Sequence, residues 1–198
     1  RGSESDFERS PAKIRNTANL SNQIGTGGAT CVALTLRNQE GLDHHLFRQG
    51  DRAIFDYTFE LAQEIEVPVV GLVIKNERGT IVHGKNSWQF DSEAPQRCLP
   101  GELVSCRHEV ELSLGPGEYV YEVGLSTVPR DLWIRRGKVS HEEMSAREMR
   151  ICHVNNAGMF SVSLALREGI AKLTHHGIAD LGGSLQVSAH AGSDVMNS

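Results

Sequence analysis

No stretch of this chain approaches the roughly 20 apolar residues needed to cross a bilayer, and its N-terminus lacks the charged, apolar and cleavage regions of a signal peptide. The fragment is therefore expected to be soluble. It opens Arg1-Gly2-Ser3 rather than with Met, which reads as a vector remnant ahead of a piece of a longer protein. Aromatics are scarce: two Trp, three Tyr and six Phe in 198 residues predict an aliphatic core in which each ring is worth placing. Excess positive charge is missing too. Twenty Lys and Arg against 25 Asp and Glu give a net charge of −5, so there is no basic footprint for nucleic acid or anionic lipid.

The four cysteines, Cys31, Cys98, Cys106 and Cys152, are too scattered for a disulfide framework without a secretory signal, and they lack the paired spacing of a structural zinc site. Reduced thiols, no metal and no other cofactor are expected. Gly25-Thr26-Gly27-Gly28 is followed by Ala29-Thr30-Cys31 and a strand pattern, where a phosphate loop needs Gly-Lys-Ser/Thr and a helix. It reads as strand punctuation. No Gly-x-Ser-x-Gly elbow occurs. Glu109 and Glu111 share a strand face at roughly 7 Å, and Asp56 and Glu60 share another; on a solvated strand such pairs are ordinary surface charge rather than a carboxylate dyad. No catalytic residue is assigned, and the chain is read as a binding domain, not an enzyme.

What is present is a period of two. Val32, Leu34 and Leu36 alternate with polar or small residues; Ala53, Phe55, Tyr57, Phe59 and Leu61 form a longer inward row; Val104, Cys106, His108, Val110, Leu112 and Leu114 form another. Leu112-Ser113-Leu114 and Tyr119-Val120-Tyr121-Glu122-Val123 flank Gly115-Pro116-Gly117, a turn that Gly and Pro make readily. Tyr119, just past that turn, is placed as the corner tyrosine of immunoglobulin-like sandwiches, its hydroxyl reaching nearby backbone. Phe160, Val162, Leu164 and Leu166 add a late strand. His108 is expected as a hydrogen-bonded core histidine, and His44-His45 and His175-His176 as loop residues.

The fold class that follows is all-β, an immunoglobulin-like antiparallel β-sandwich with one short helical excursion. The excursion falls at 130–150, where Ser140-His141-Glu142-Glu143 resembles a helix start. Residues 1–24 read as tag remnant and linker, 25–198 as the sandwich domain. The tail offers two weak strand candidates, 170–174 and 184–188, and such a terminal strand is a candidate for pairing with a second subunit.

Asn76-Glu77-Arg78-Gly79 predicts a hairpin in which Asn76 faces Thr80. In that register Ile74 meets Val82 on the core side, while Val73 meets His83 and Lys75 meets Ile81 outside. Val73, Ile81, His83 and Lys85 would then form an outer patch. Just beyond it, His83-Gly84-Lys85-Asn86-Ser87-Trp88-Gln89-Phe90 supplies what a pyranose needs: a ring for its CH face, and amides and cations for its hydroxyl edge. Trp88 is equally readable as a core plug.

The order of these motifs, Gly25-Thr26-Gly27-Gly28-Ala29, Gln49-Gly50-Asp51, Pro68-Val69-Val70-Gly71, Gly79 to Ser87, and Leu114-Gly115-Pro116-Gly117-Glu118-Tyr119, resembles the Wzt C-terminal domain over about Gly25 to Ser126. That family is the polysaccharide-recognition domain fused to the nucleotide-binding subunit of bacterial O-antigen ABC exporters. The resemblance implies non-catalytic binding of the non-reducing end of an undecaprenyl-linked O polysaccharide, at the cytoplasmic face of the inner membrane. It also implies a homodimer, in some members built by exchanging the terminal strand, and contact with the membrane-embedded transporter subunit through an ATPase domain that this fragment lacks. Ser87 stands where the family frequently has Thr, and residues 130–150 match no family motif.

Combining both lines, the expected carbohydrate-binding residues are Trp88 as stacking platform, Asn86 and Gln89 reading hydroxyls, Lys85 and His83 donating from the edge, and Glu122 or Lys75 completing the site. The opposite sheet, around Arg37, Thr58, Glu60 and Arg107, is the alternative location. A second class of function is a protein-interaction or dimerisation domain without a glycan ligand, using the apolar outer face of Val69, Gly71 and Val73.

Overall fold

The computed structural model describes residues 20–187 and is a sandwich of two sheets. The larger contains β1 (Gln23–Gly25), β9 (Met149–Ser163), β8 (Gly117–Val128), β5 (Val67–Asn76) and β6 (Ile81–Asn86) in that order. A short strand, β3 (Leu46–Arg48), runs parallel to β9 and is the exception to antiparallel pairing. The smaller sheet is β2 (Ala29–Arg37), β4 (Arg52–Leu61) and β7 (Leu103–Glu111), and β10 (Ala165–Arg167) and β11 (Ile170–Lys172) form a separate hairpin. All-β architecture is thus as the alternation predicts, with β1 extending the fold upstream of the expected boundary at residue 25. Residues 1–19 of the expected linker lie outside the described residues.

The inward row of β4 is the centre of the core: Ala53, Phe55, Tyr57, Phe59 and Leu61 are buried between the sheets. Phe55 meets Tyr121 edge to face at 5.0 Å between ring centres, and Phe160 stacks on Tyr119 at 5.5 Å. The corner forms as its sequence demands, with the buried Tyr119 hydroxyl donating to the Gly115 carbonyl at 2.7 Å. That bond satisfies two polar groups at the point where the chain turns into β8. All four cysteines are free thiols, and burial raises the pKa of each, Cys31 to about 12.

Three expectations are corrected. The β5–β6 hairpin closes as read, with Asn76 accepting from the backbone N–H groups of Arg78 and Thr80 and Lys75 opposite Ile81. A bulge then displaces Val82, so Ile74 pairs with His83 and Val73 with Gly84. Because strand side chains alternate faces, this one-residue slip carries His83 and Lys85 to the core side. The helical excursion is two helices, α1 (Arg130–Ile134) and α2 (His141–Arg147), joined through a 3₁₀ turn at Arg136–Lys138. Ser140 caps α2 as its sequence suggests, its hydroxyl accepting from Glu143 N–H at 3.1 Å. In the tail, only Ile170–Lys172 of the first candidate is strand; residues 184–187 form none, and Ser188 lies outside the described residues.

The two helices explain why β5 is apolar on both faces. Leu72 and Ile74 face the sandwich core, whereas Val67 and Val69 face outward and are buried with Val128 beneath Leu132, Trp133 and Met144. Burial of such side chains stabilises by about 1.5–3 kcal/mol each. One end of the outer face is therefore roofed, and the part not roofed is the groove described next.

Candidate functional site: a glycine-floored groove

Between the helical roof and the β5–β6 turn, the outer face of the large sheet opens into a groove of about 280 Å³. The strand register builds its floor. Asn86, Gly71, Gly124 and His153 lie side by side on four neighbouring strands, with Gly84 next to Val73 one rung away. Three glycines from three strands thus bring bare backbone to one surface. A methyl added at Gly71 would lie 3.1 Å from the Asn86 β-carbon, and one at Gly124 would lie 3.2 Å from His153 Nδ1. Side chains here would crowd the walls and fill the depression.

One wall is Asn86 and Gln89. Asn86 N–H donates to Gln89 Oε1 at 2.9 Å, and Gln89 N–H donates to Asn86 Oδ1 at 3.0 Å. This reciprocal bonding has the logic of a capping box, and the Asn-x-x-Gln spacing is a local signal that the sequence reading did not use. Backbone N–H groups can only donate, so the orientation of both amides is fixed. Each carbonyl oxygen thus already accepts one hydrogen bond, whereas the NH₂ groups have no partner among the described residues.

The other wall carries carboxylates. Glu122 is 6% exposed, its Oε1 accepting from Lys75 Nζ at 2.8 Å and its Oε2 lying 3.2 Å from His153 Nε2. Burial would raise the Glu122 carboxyl, but Lys75 and His153 outweigh it and hold it below the usual carboxylate value. Glu148, at the end of the helical excursion, and Ser126 complete this side. His153, Gly124 and Glu148 were not identified from the sequence, and Gly71 entered only as part of the apolar outer face of the second function class; no local signal marks them as a site, because only the strand register brings them together.

Four of the expected residues, Asn86, Gln89, Lys85 and Glu122, border the groove, and Lys75 reaches it through Glu122. Lys85 contributes mainly its position on β6, since it pairs with inward-facing Leu72 and its ammonium sits 3.9 Å from the Phe90 ring centre. His83 is elsewhere. It lies on the core side with its ring 5.8 Å from that of His108, and the Nε2 atoms of both are buried without a hydrogen-bond partner. His108 is thus buried as expected but lacks the expected partner at that atom. Trp88 is outside the groove lining as well: its ring meets the buried Trp133 edge to face at 5.5 Å, as part of the apolar cluster under the roof.

The alternative location on the small sheet is a charge ladder. Asp56 is bridged by Arg37 at 3.4 Å and Arg107 at 3.8 Å, Glu109 by Arg107 at 3.0 Å and Arg52 at 3.8 Å, and Thr58 hydrogen-bonds Ser105. Its charges already answer one another. Among the described residues, no helix is long and apolar enough to cross a membrane, and no three His, Cys, Asp or Glu side chains group as metal ligands.

The fold has a solved counterpart. A crystal structure of the C-terminal domain of wzt superposes with a TM-score of 0.65 at 15% identity, covering 88% of this chain and 91% of that one. Pseudomonas fluorescens alkylpurine DNA glycosylase AlkC bound to DNA containing an abasic site analog reaches a TM-score of 0.40 at 15% identity, over 69% of this chain and 30% of that one, too distant to carry an argument. No curated protein matches the sequence. The Wzt C-terminal domain is a non-catalytic fold, in keeping with a chain that is not an enzyme. The family model for the Wzt C-terminal domain matches residues 21–132, more than half of the sequence, and the chain therefore belongs to that family.

Proposed function

We propose that the glycine-floored groove binds the non-reducing end of an O-antigen polysaccharide, making this chain the substrate-recognition domain of an ABC exporter. Family membership supports a role in an ABC exporter. The observation that carries the glycan reading is convergence: Asn86, Gln89 and Glu122, chosen for sugar chemistry, meet around a flat strip of backbone in one shallow groove. A pyranose ring lies its CH face on Gly71, Gly124 and Val73, and its hydroxyls reach amides on one side and carboxylates on the other. The glycine floor does the work first assigned to Trp88, which instead supports the roof. An open groove of this size, just under the ~300 Å³ at which drug-sized pockets begin, suits a chain end of one or two rings held weakly.

Weak single-site binding gains from a second copy through effective concentration. The tail supports a homodimer: Leu164, Leu166, Ile170, Leu173, Ile178, Leu181, Leu185 and Val187 are exposed apolar residues on a segment anchored to the body by few contacts. Those contacts include Thr174 N–H and the His175 ring on the buried Gln49, and the bridge between Leu114 and Ala179 with its backbone bonds from Gly115 N–H to Ile178 and from Asp180 N–H to Ser113. An exchanged tail would cover this apolar surface. In the exporter, the domain works at the cytoplasmic face of the inner membrane.

Titration of ¹⁵N-labelled protein with O polysaccharides that differ in their terminal residues tests the reading. Gly71, Gly84 and Gly124 amides are expected to shift, and Gly71→Val, which fills the floor, is expected to weaken binding at least tenfold with the fold intact by circular dichroism. Shifts confined to the β2–β4–β7 face would move the site; no shift with any glycan would overturn it.

A further inference from the structure

The two walls of the groove differ in chemistry, and the difference names a ligand class. On the β6 side, both side-chain carbonyls of the Asn86–Gln89 pair are tied to backbone N–H groups. The wholly unspent groups of this wall are thus its donors: two NH₂ groups, held by a reciprocal lock, that call for acceptor oxygens. On the opposite side stand Glu122, ionised between Lys75 and His153, and Glu148, whose carboxylate has no partner among the described residues. This wall accepts hydrogen bonds, and its one unanswered charge is the negative carboxylate of Glu148.

The lip is also held in place. Phe90 N–H donates to the Asn86 carbonyl at 3.1 Å and Ser92 N–H to the Ser87 carbonyl at 3.0 Å, and Asp91 is ion-paired with Arg136 of the helical excursion. Arg136 lies over the Trp133 ring, which in turn packs on Trp88. The donor wall is therefore preorganised by the segment that matches no family motif.

We propose that the groove selects a sugar bearing a neutral, acceptor-rich substituent, an acetamido group, with its carbonyl oxygen on the Asn86 and Gln89 amides and its ring hydroxyls donating to Glu148 and Glu122. A hydroxyl in the same place satisfies a pair of donors less well, because its own hydrogen must be turned toward some other acceptor, whereas a carbonyl brings lone pairs alone. A carboxylate or phosphate also accepts, but it meets the unpartnered carboxylate of Glu148 in the same groove, whereas a neutral carbonyl does not. This assignment rests on the glycan reading above and adds the substituent.

Two substitutions isolate the claim. In Asn86→Asp and Gln89→Glu the remaining oxygen still accepts from the backbone N–H, so the lock survives, while the outward NH₂ becomes an acceptor. The probes are methyl glycosides of 2-acetamido sugars in the gluco, galacto and manno series, their 2-hydroxy parents and the corresponding uronates, followed by amide shifts of the full chain. At least one acetamido glycoside is expected to shift Gly71 and Gly124 at a concentration fivefold or more below its parent. Asn86→Asp is expected to abolish that preference with an unchanged melting temperature and unchanged Gln89 and Phe90 amide exchange.

Equal response to acetamido and parent sugars, a stronger response to uronates, or a preference that survives both substitutions overturns the acetamido assignment and leaves the glycan site standing. Silence of the groove amides toward every saccharide, polysaccharide included, overturns both.

Discussion

The two outer faces of this sandwich are made of similar residues and do different things. On the small sheet, Arg37, Asp56, Arg107, Glu109 and Arg52 stand in a row where each charge meets its opposite and all are substantially open to water. On the large sheet the carboxylate of Glu122 is 7% exposed in its side chain and is held by Lys75 and His153 beside three glycines. A face whose charges are solvated and mutually answered has little left to offer a ligand. A face where bare backbone is framed by oriented, unspent polar groups has been left incomplete, and that incompleteness is the sign of a site.

The largest test of this contrast removes the roof. Trp133 is 1% exposed, and Trp133→Ala should cost about 4 kcal/mol, read as a fall in the urea midpoint. It should also loosen the donor wall, raising hydrogen exchange at Phe90, Asp91 and Ser92 while the β2–β4–β7 amides stay protected. Uniform loss of protection would show the roof to be part of the main core rather than a separate support.

A matched pair of carboxylate deletions compares the faces directly. Glu122→Ala strands Lys75 and His153 around a buried position and should cost about 3 kcal/mol, whereas Asp56→Ala, in the solvated ladder, should cost less than about 1 kcal/mol. High salt should shrink the second effect and spare most of the first. Equal costs in urea titration would remove the distinction between the two faces.

How much of this was legible follows from which signals are local. The β4 row, the Tyr119 corner and the Ser140 cap depend on spacings of a few residues, and each formed as read. The position of His83 depended on a hairpin register, and turn chemistry fixed only its first rung; a bulge at Val82, which no turn residue encodes, changed the rest. Trp88 carried no direction at all, since a lone ring suits a platform or a plug, and Trp133 on a five-residue helix was too short a pattern to reveal its partner. The groove floor was the least legible part. Gly71 and Gly84 share one hairpin, but Gly124 lies far along the chain on β8, and only the pairing of β6, β5 and β8 makes the three neighbours.

Where the two sheets meet at β6 and β7, His83 and His108 sharpen the comparison with the groove, because they are polar groups buried without the ion pairs that Glu122 enjoys. Burial first, then His83 and Lys85, push the His108 pKa down to about 4, and burial and Lys85 lower that of His83. A histidine whose folded pKa lies below its unfolded value of about 6.5 binds its proton more readily in the unfolded chain. Stability is therefore intact above pH 7, is lost as pH falls from about 6.5 toward 4, and levels off below that, a loss of about 3 kcal/mol. Glu122, with a depressed pKa, acts only lower, its contribution failing as pH drops below the ordinary carboxylate range. Urea midpoints taken between pH 7 and 4 should thus decline in wild type and flatten in His108→Leu, while the Glu122 pair stays formed across most of that window. A decline of equal size in His108→Leu would assign the acid response to carboxylates and leave the two histidines electrostatically silent.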